Sequence, residues 1–299
     1  MPPDATPSRR AYAAALATII LWASAFPAIA VGLRHVEPAA LAATRFAVAG
    51  AVAACWLGCR ARGLPKRADL ARVLACGMLG IALYNLLLNL GQRTISPGAA
   101  SFIVATQTVF AAGLACLLRQ ERGGVFTIAG TLLSLLGTGI ISLGIPGETR
   151  LGAGALLVLL AAICSGTTFV VQRPLVCRYG AAKAAGWPLI VGALLLAPWL
   201  PAGLKQAAAA PEAIAAIAFL AVGAGVLGYA CWMVALAGLG ASRAANFLFL
   251  MAPLATVLAI PINGHIPPPT TILGGAATLA GVWIVHRAYR RAPATDPES

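Results

Sequence analysis

A small set of polar and aromatic side chains lies inside long apolar stretches of this chain, and these residue types could bind a small molecule. An amide facing lipid has no hydrogen-bond partner, so such Asn and Gln side chains are expected to face protein or water. Aromatic rings offer area to an apolar group, while hydroxyl and indole N–H groups offer hydrogen bonds. The mixture suits a neutral or zwitterionic solute with an apolar body. The predicted substrate-binding residues are Trp22, Tyr84, Asn89, Gln107, Tyr229 and Asn246.

Each of these side chains also has a structural interpretation, because an inward-facing amide can simply join two helices. Tyr84 and Tyr229 occupy equivalent positions of an internal repeat described below. That equivalence favours convergence of the set near the middle of the membrane, between the two halves of the chain. We therefore predict a substrate cavity there, with helix joining as the alternative for each single residue.

The ionisable residues argue against catalysis. Asp, Glu and His lie at the ends of the apolar stretches or between them, whereas metal-dependent and acid–base catalysis need such residues in clusters. The seven Cys are irregularly spaced and form no CxxC pair, so they are predicted to be small buried hydrophobes. We predict no catalytic residue, no metal ligand, no cofactor and no enzyme activity.

One basic residue lies well away from the ends of its stretch: Arg45, about seven residues into the second one. It could bind a substrate carboxylate near the outer mouth of a cavity. Alternatively, its long side chain could reach the membrane interface or bond to carbonyls at a helix end. Its position close to the membrane edge favours this structural interpretation.

Helix breakers and small residues mark two further features. Pro27, the Ser165–Gly166 pair and Pro253 are predicted to interrupt their helices, either exposing backbone groups to a substrate or kinking the bundle. Small residues let helices approach closely and are predicted to form packing surfaces in two stretches. These residues are Thr127, Gly130, Thr131, Ser134, Gly137 and Thr138, and then Gly274, Thr278 and Gly281.

Ten apolar stretches of roughly 20 residues must position these side chains. A helix rises 1.5 Å per residue, so about 20 residues cross a hydrocarbon core of about 30 Å. The chain is 60% hydrophobic and only 10% charged, where a soluble domain carries about 25% charged residues. The predicted fold class is an all-α integral membrane protein with ten transmembrane helices. They span residues 11–33, 38–59, 70–91, 97–118, 125–144, 151–172, 182–200, 211–237, 241–262 and 268–288.

The basic residues predict an orientation rather than a nucleic-acid partner. The formal net charge is +13, but the charges lie in short clusters between apolar stretches instead of along one stripe. With the N-terminus inside, 16 of the 21 Lys and Arg residues lie on the cytoplasmic side, as membrane proteins prefer. Both termini are therefore predicted to be cytoplasmic. The first stretch continues to about Gly32, so we predict an uncleaved helix rather than a signal peptide.

The two halves of the chain are weakly similar at a shift of about 145 residues. Gly80 then coincides with Gly225, and Tyr84 with Tyr229. Because five helices is an odd number, a five-plus-five duplication places the halves in opposite orientations, as inverted repeats. The predicted units are a cytoplasmic tail over 1–10, repeats over 11–144 and 151–288, and a cytoplasmic tail over 289–299.

Four short motifs carry a resemblance to a known family: Trp22–Phe26, Pro38–Phe46, Ser96–Ser101 and Glu121–Arg122. In order and spacing they resemble the drug/metabolite transporter superfamily, specifically its EamA-type ten-helix permeases, over residues 11–288. Within that group the chain is most similar to the YddG-type (aromatic) amino-acid exporters. Small four-helix relatives exchange protons through a Glu in the first helix, but Ser24 stands in the comparable region here. Proton antiport by that route is therefore not expected.

The resemblance implies an inner-membrane permease that exports small organic solutes, amino acids including aromatic ones, by alternating access. Its partners would be a small-molecule substrate and membrane lipid, and duplication would let one chain work as a monomer. Efflux of drugs or other metabolites through the same fold is the alternative. An intramembrane enzyme would need a cluster of His, Asp or Cys in one membrane layer, which the sequence does not contain.

Overall fold

The chain is helical throughout the residues that the structure describes. A computed structural model describes residues 9–60, 63–117, 125–143, 152–239, 248–264 and 266–291, and contains no strand in these ranges. We number the helical segments in chain order: α1 (Arg9–Gly32), α2 (Pro38–Arg60), α3 (Arg67–Gly91), α4 (Pro97–Ala105 and Gln107–Leu117), α5 (Val125–Leu143), α6 (Ala153–Tyr179), α7 (Ala181–Leu196, continued by Ala197–Trp199 and Leu200–Ala208), α8 (Pro211–Ala218, Phe219–Leu227 and Gly228–Leu239), α9 (Leu248–Leu250 and Met251–Asn263) and α10 (Pro269–Arg291).

The helices are long enough and apolar enough for a membrane protein. Among the described residues, α1, α2, α3, α6, α7 and α8 contain spans long and apolar enough to cross one, and α4, α5, α9 and α10 contain shorter apolar spans. Large apolar side chains such as Leu16 and Ile20 are exposed on the outer surface, while Ala15 and Ile19 beside them are buried. An apolar outer face is expected where the surrounding solvent is lipid rather than water.

Several predicted helix ends and breaks differ from the structure. Helix α7 does not end at residue 200: a 3₁₀ turn over Ala197–Trp199 carries it on to Ala208. Helix α1 continues through Pro27 and α6 continues through Ser165–Gly166, so neither position ends a helix. Pro253 is the third residue of Met251–Asn263 and does not break that helix.

The irregular turns lie elsewhere, in two wide π-helical segments. One covers Cys76–Leu83 in α3 and the other Phe219–Leu227 in α8. The first ends immediately before Tyr84, and the second is followed by Gly228 and Tyr229. π-Helical turns inside α-helices occur frequently at functional sites, and here they precede two predicted site residues.

The helices pack in a pattern that mixes the two halves of the chain. Helix α1 packs along α8 and α9, while α6 packs along α3 and α4. We call α1, α8 and α9 the α1 group, and α3, α4 and α6 the α6 group. Helices α4 and α9 connect the groups, α2 packs against α7, and α5 packs against α10.

The small residues of α5 and α10 form a close helix–helix contact, as the sequence predicts. A Cβ atom at Gly137 would lie 2.5 Å from the carbonyl oxygen of Gly274. The Ser134 hydroxyl donates to the carbonyl of Thr278 at 3.1 Å, and the Thr278 hydroxyl donates to the carbonyl of Ser134 at 3.4 Å. Close backbone approach and interhelical hydrogen bonds are the forces that hold helices together in lipid.

At one end of the α6 group a buried carboxylate joins α3 to α6. Asp69 accepts hydrogen bonds from Arg72 at 3.0 Å, Arg178 at 2.6 Å and the Tyr179 hydroxyl at 2.7 Å. The Tyr179 hydroxyl also accepts from the backbone N–H of Lys66 at 3.0 Å. The two basic side chains supply the opposite charge that a buried carboxylate requires.

Candidate substrate site

Three aromatic rings form the centre of the candidate site, between α1 and α8. The Trp22 and Tyr229 ring centroids are 5.3 Å apart in an edge-on arrangement, and those of Trp22 and Trp232 are 5.5 Å apart. The Trp22 indole N–H donates to the carbonyl of Ala224 at 3.1 Å. A Cβ atom at Gly228 would lie 2.6 Å from the Trp22 indole nitrogen, so glycine at this position allows the ring to pack against α8.

The π-helical turn of α8 positions these rings. Ala224, which accepts the indole hydrogen bond, lies inside that turn, and Tyr229 follows it directly after Gly228. A wide turn rotates the following residues relative to a regular helix. Tyr84 follows the π-helical turn of α3, and both Tyr84 and Trp22 pack against the main apolar core.

Arg45 lies next to this aromatic cluster, on α2. Its guanidinium carbon is 4.7 Å from the centroid of the Phe46 ring, and it lies within electrostatic range of Tyr84 and Tyr229. The residue is only 8% exposed, and its Nε and Nη1 atoms have no hydrogen-bond partner. These two guanidinium nitrogens make no bond to helix-end carbonyls, which favours the alternative prediction that Arg45 binds a ligand.

Two amides lie nearer the C-terminal end of α3. Asn89 is fully buried and donates to the carbonyl of Pro38 at 2.9 Å, which joins α3 to the first residue of α2. Gln92 donates to the carbonyl of Phe26 in α1 at 3.1 Å. The side-chain oxygens of Asn89 and Gln92 are buried without a donor. Both amides join helices, and both retain an acceptor for a further group.

A cavity of about 500 Å³ opens where α1 and α3 end and α4 begins. Its lining includes Arg34, Gln92, Arg93 and Ser96. The Ser96 hydroxyl accepts from the backbone N–H of Ala99 at 3.2 Å, which is the predicted cap of α4. The cavity is therefore a polar, positively charged opening next to the amide of Gln92.

The predicted site residues divide into three sets. Trp22, Tyr84 and Tyr229 lie together with Arg45. Asn89 lies farther along α3, and Gln107 accepts a hydrogen bond from the Ser165 hydroxyl at 2.6 Å, which joins α4 to α6. Asn246 lies outside the described residues.

The predicted set of six residues omits two contributors, Trp232 and Gln92, and the sequence gives too little weight to Arg45. Trp232 is one helical turn from Tyr229, and this spacing was a usable signal. Gln92 lies on the same face as Asn85 and Asn89 but was left out of the predicted set. Whether Arg45 is free to bind a ligand depends on which charged groups lie near it in the folded chain, and the sequence does not give these distances.

Long apolar helices around an enclosed polar and aromatic cluster define a multi-pass membrane protein of the transporter class. The sequence profile described as the EamA-like transporter family matches the chain twice, over residues 9–143 and 152–287. The chain belongs to this family.

The relatives of the chain are named as transporters and exporters, not as enzymes. A probable terminal-alkyne amino-acid exporter of Streptantibioticus cattleyicolor is 35% identical over 94% of this chain and 95% of its own length. The uncharacterized transporter YdfC of Bacillus subtilis is 32% identical over 89% of this chain and 87% of its own. A solved crystal structure with 18% identity superimposes with a TM-score of 0.62, over 95% of this chain and 99% of that one, and supports the fold.

Proposed function

We propose that this protein is an inner-membrane permease that exports small organic solutes, amino acids including aromatic ones, by alternating access. The observation that carries the proposal is the cluster of Trp22, Tyr84, Tyr229 and Arg45, which draws its residues from both helix groups and both halves of the chain. Rings and hydroxyls would bind the apolar and polar parts of one small ligand. The name of the 35% identical relative supports amino acids as the substrate class.

The proposal includes a five-plus-five inverted repeat, with both termini in the cytoplasm. Support comes from the two matches to the family profile and from the packing pattern. If each helix is exchanged for the helix five positions away in chain order, α1, α8 and α9 become α6, α3 and α4. These three helices are the members of the α6 group. The distribution of Lys and Arg supports the orientation.

Alternating access would involve the two helix groups rather than the two halves of the sequence. Trp22 and Tyr229 belong to the α1 group and Tyr84 to the α6 group, so relative motion of the groups would open or close the site. In the proposed orientation the cavity near Arg34 and Gln92 is the outer opening. Gln92 lines that opening and Asn89 lies three residues before it in the chain, so their unpaired oxygens offer sites along the proposed route.

Transport is proposed to run down the substrate gradient in a single chain. Within the described ranges, the carboxylates are Glu37, Asp69 and Glu212, and each lies near a helix end. Proton and ion coupling in membrane proteins usually involves an ionisable group deep in a span. Because both helix groups come from one chain, the site needs no second copy.

The test is counterflow of radiolabelled amino acids into proteoliposomes that contain the purified protein. We expect uptake of aromatic amino acids without a proton gradient, and a gradient alone should not drive accumulation. A panel of cationic drugs tests the alternative substrate class. Transport of the drugs with no transport of any amino acid would contradict the proposed substrate, and accumulation driven by protons alone would contradict the proposed lack of coupling.

A further inference from the structure

Arg45 is a buried positive charge, and two of its three side-chain nitrogen atoms make no hydrogen bond. Its side chain is 8% exposed, and neither Nε nor Nη1 has a partner. The Phe46 ring covers one face of the guanidinium, at 4.7 Å. Burial of a charge without a counter-charge and hydrogen bonds is strongly unfavourable. An anion that enters the site would remove this unfavourable term.

The described part of the chain supplies no such anion. Asp69 is saturated by Arg72, Arg178 and Tyr179. Glu212 lies 3.4 Å from His35 as an exposed pair, and Glu37 is exposed. The counter-charge for Arg45 must therefore come from elsewhere, and the site beside it has the composition of a ligand site.

The neighbours of Arg45 indicate what else the anion would carry. Tyr84 and Tyr229 lie near the guanidinium, and Tyr229 packs against the apolar cluster that contains Phe46. Both tyrosine rings are bulky and largely apolar. The Trp22 ring packs edge-on against Tyr229. Guanidinium matches a planar carboxylate through paired N–H donors. A carboxylate at Arg45 would thus place an attached apolar or aromatic group against Trp22 and Tyr229.

We propose that Arg45 binds the carboxylate of the transported solute, so that this permease selects carboxylic acids with an apolar body. The inference rests on the proposed function and narrows it: an amide or ester of the same compound would bind much more weakly, because it carries no negative charge. Arg45 is a binding residue in this proposal, and the aromatic cluster selects the attached group.

The first experiment uses the unmodified protein. Phenylalaninamide competes against radiolabelled phenylalanine in proteoliposome counterflow. Loss of hydrogen bonds to a charged group predicts that the amide inhibits about 10–100-fold more weakly than unlabelled phenylalanine. Equal inhibition by the two compounds would overturn the proposal, whatever any variant does.

The second experiment compares Arg45→Gln and Arg45→Lys with Arg60→Gln, an exposed arginine at the end of the same helix. Arg45→Gln should raise the KM for phenylalanine at least about tenfold and remove the preference over the amide. Arg45→Lys keeps the charge and should retain part of the preference, while Arg60→Gln should retain all of it. An unchanged KM and preference in Arg45→Gln would refute the role of Arg45.

A binding measurement separates this inference from the proposed function. If the wild type moves no amino acid, the proposed function is wrong, but thermal stabilisation of the purified protein by phenylacetate and phenylacetamide still tests Arg45. Ligand binding to the folded state raises the melting temperature. Stabilisation by the acid alone, lost in Arg45→Gln, would support a carboxylate site. Equal effects of acid and amide would overturn it.

Discussion

Trp22 connects several features of the site through one indole ring. It contacts Tyr229 and Trp232 and donates to the carbonyl of Ala224, so its position is fixed by both packing and a hydrogen bond. Arg45 and Tyr84 complete the cluster from α2 and α3. At this scale, the proposed selectivity arises from a charge and a set of rings that the protein leaves available to a ligand.

Replacement of Trp22 by Ala should weaken transport of large aromatic substrates more than of small ones. Full burial of an aromatic side chain of a ligand contributes about 1.5–3 kcal/mol, so KM for phenylalanine should rise roughly tenfold or more, with alanine much less affected. Competition assays in proteoliposomes measure this ranking. Trp283→Ala, which removes an exposed tryptophan of α10, is the matched control. An unchanged substrate ranking in Trp22→Ala would place the site elsewhere.

Helical segments and the contacts between them determine the positions of the site residues. The π-helical turns of α3 and α8 position Tyr84 and Tyr229, and the α5–α10 contact lies apart from the aromatic cluster. Asp69 joins α3 to α6 within the α6 group. These contacts should control stability, while the aromatic cluster should control selectivity.

Gly137→Ala should destabilise the contact between α5 and α10. The added methyl group would lie 2.5 Å from both the Gly274 carbonyl oxygen and the Thr278 backbone nitrogen, so the helices would have to separate. Overpacking of this kind costs about 1–3 kcal/mol. Gly139→Ala on the same helix is the control, because its methyl group would meet nothing within 4 Å. Equal melting temperatures for the two purified variants would argue against this close contact.

Asp69→Ala should lower the melting temperature because it leaves Arg178 and Tyr179 without their shared acceptor. Glu212→Gln removes a carboxylate whose side chain is largely exposed beside His35, and exposed ion pairs contribute little. We expect a clear loss of thermal stability in the first variant and a small one in the second, measured in detergent. The reverse order would show that α3 and α6 are held together by other contacts.

Hydrophobic length predicts an all-helical membrane protein, but it does not predict where a helix becomes irregular. The π-helical turn over Phe219–Leu227 consists of small and aliphatic residues that also fit a regular α-helix, so no pattern marks it. At Gly166 the sequence pattern suggests an interruption of α6 that the structure does not show. A Cβ atom there would lie 2.5 Å from the carbonyl oxygen of Gln107, so this glycine serves close packing of α6 on α4 and does not break the helix.

At the scale of the whole molecule, the sequence predicted which residues are inward but not which inward residues meet. Trp22, Tyr84 and Tyr229 could be grouped because polar side chains must avoid lipid and because the two tyrosines are predicted to be equivalent in the proposed repeat. Gln107 obeys the same burial rule, yet its partner is Ser165. The availability of Arg45 depends on distances to carboxylates on other helices, which only the folded chain defines.

The proposed orientation predicts which loops an impermeant thiol reagent reaches from outside the cell. Single cysteines replace Arg34 and Lys66, both exposed, in a background without the exposed Cys55, Cys59 and Cys177. Because most Lys and Arg would lie inside, Arg34→Cys should label in intact cells and Lys66→Cys only after permeabilisation. Labelling of Lys66→Cys alone in intact cells would reverse the orientation.

The transported solute is proposed to occupy the space between α1, α2, α3 and α8, and it should then protect a cysteine placed at Tyr229 from modification. In Tyr229→Cys protein that retains counterflow, the rate of modification by a small thiol reagent is measured with and without saturating substrate. A cysteine at Leu64, which is 89% exposed, is the control. We predict that substrate slows modification at position 229 and leaves position 64 unchanged. Equal rates at position 229 with and without a transported substrate would contradict the claim.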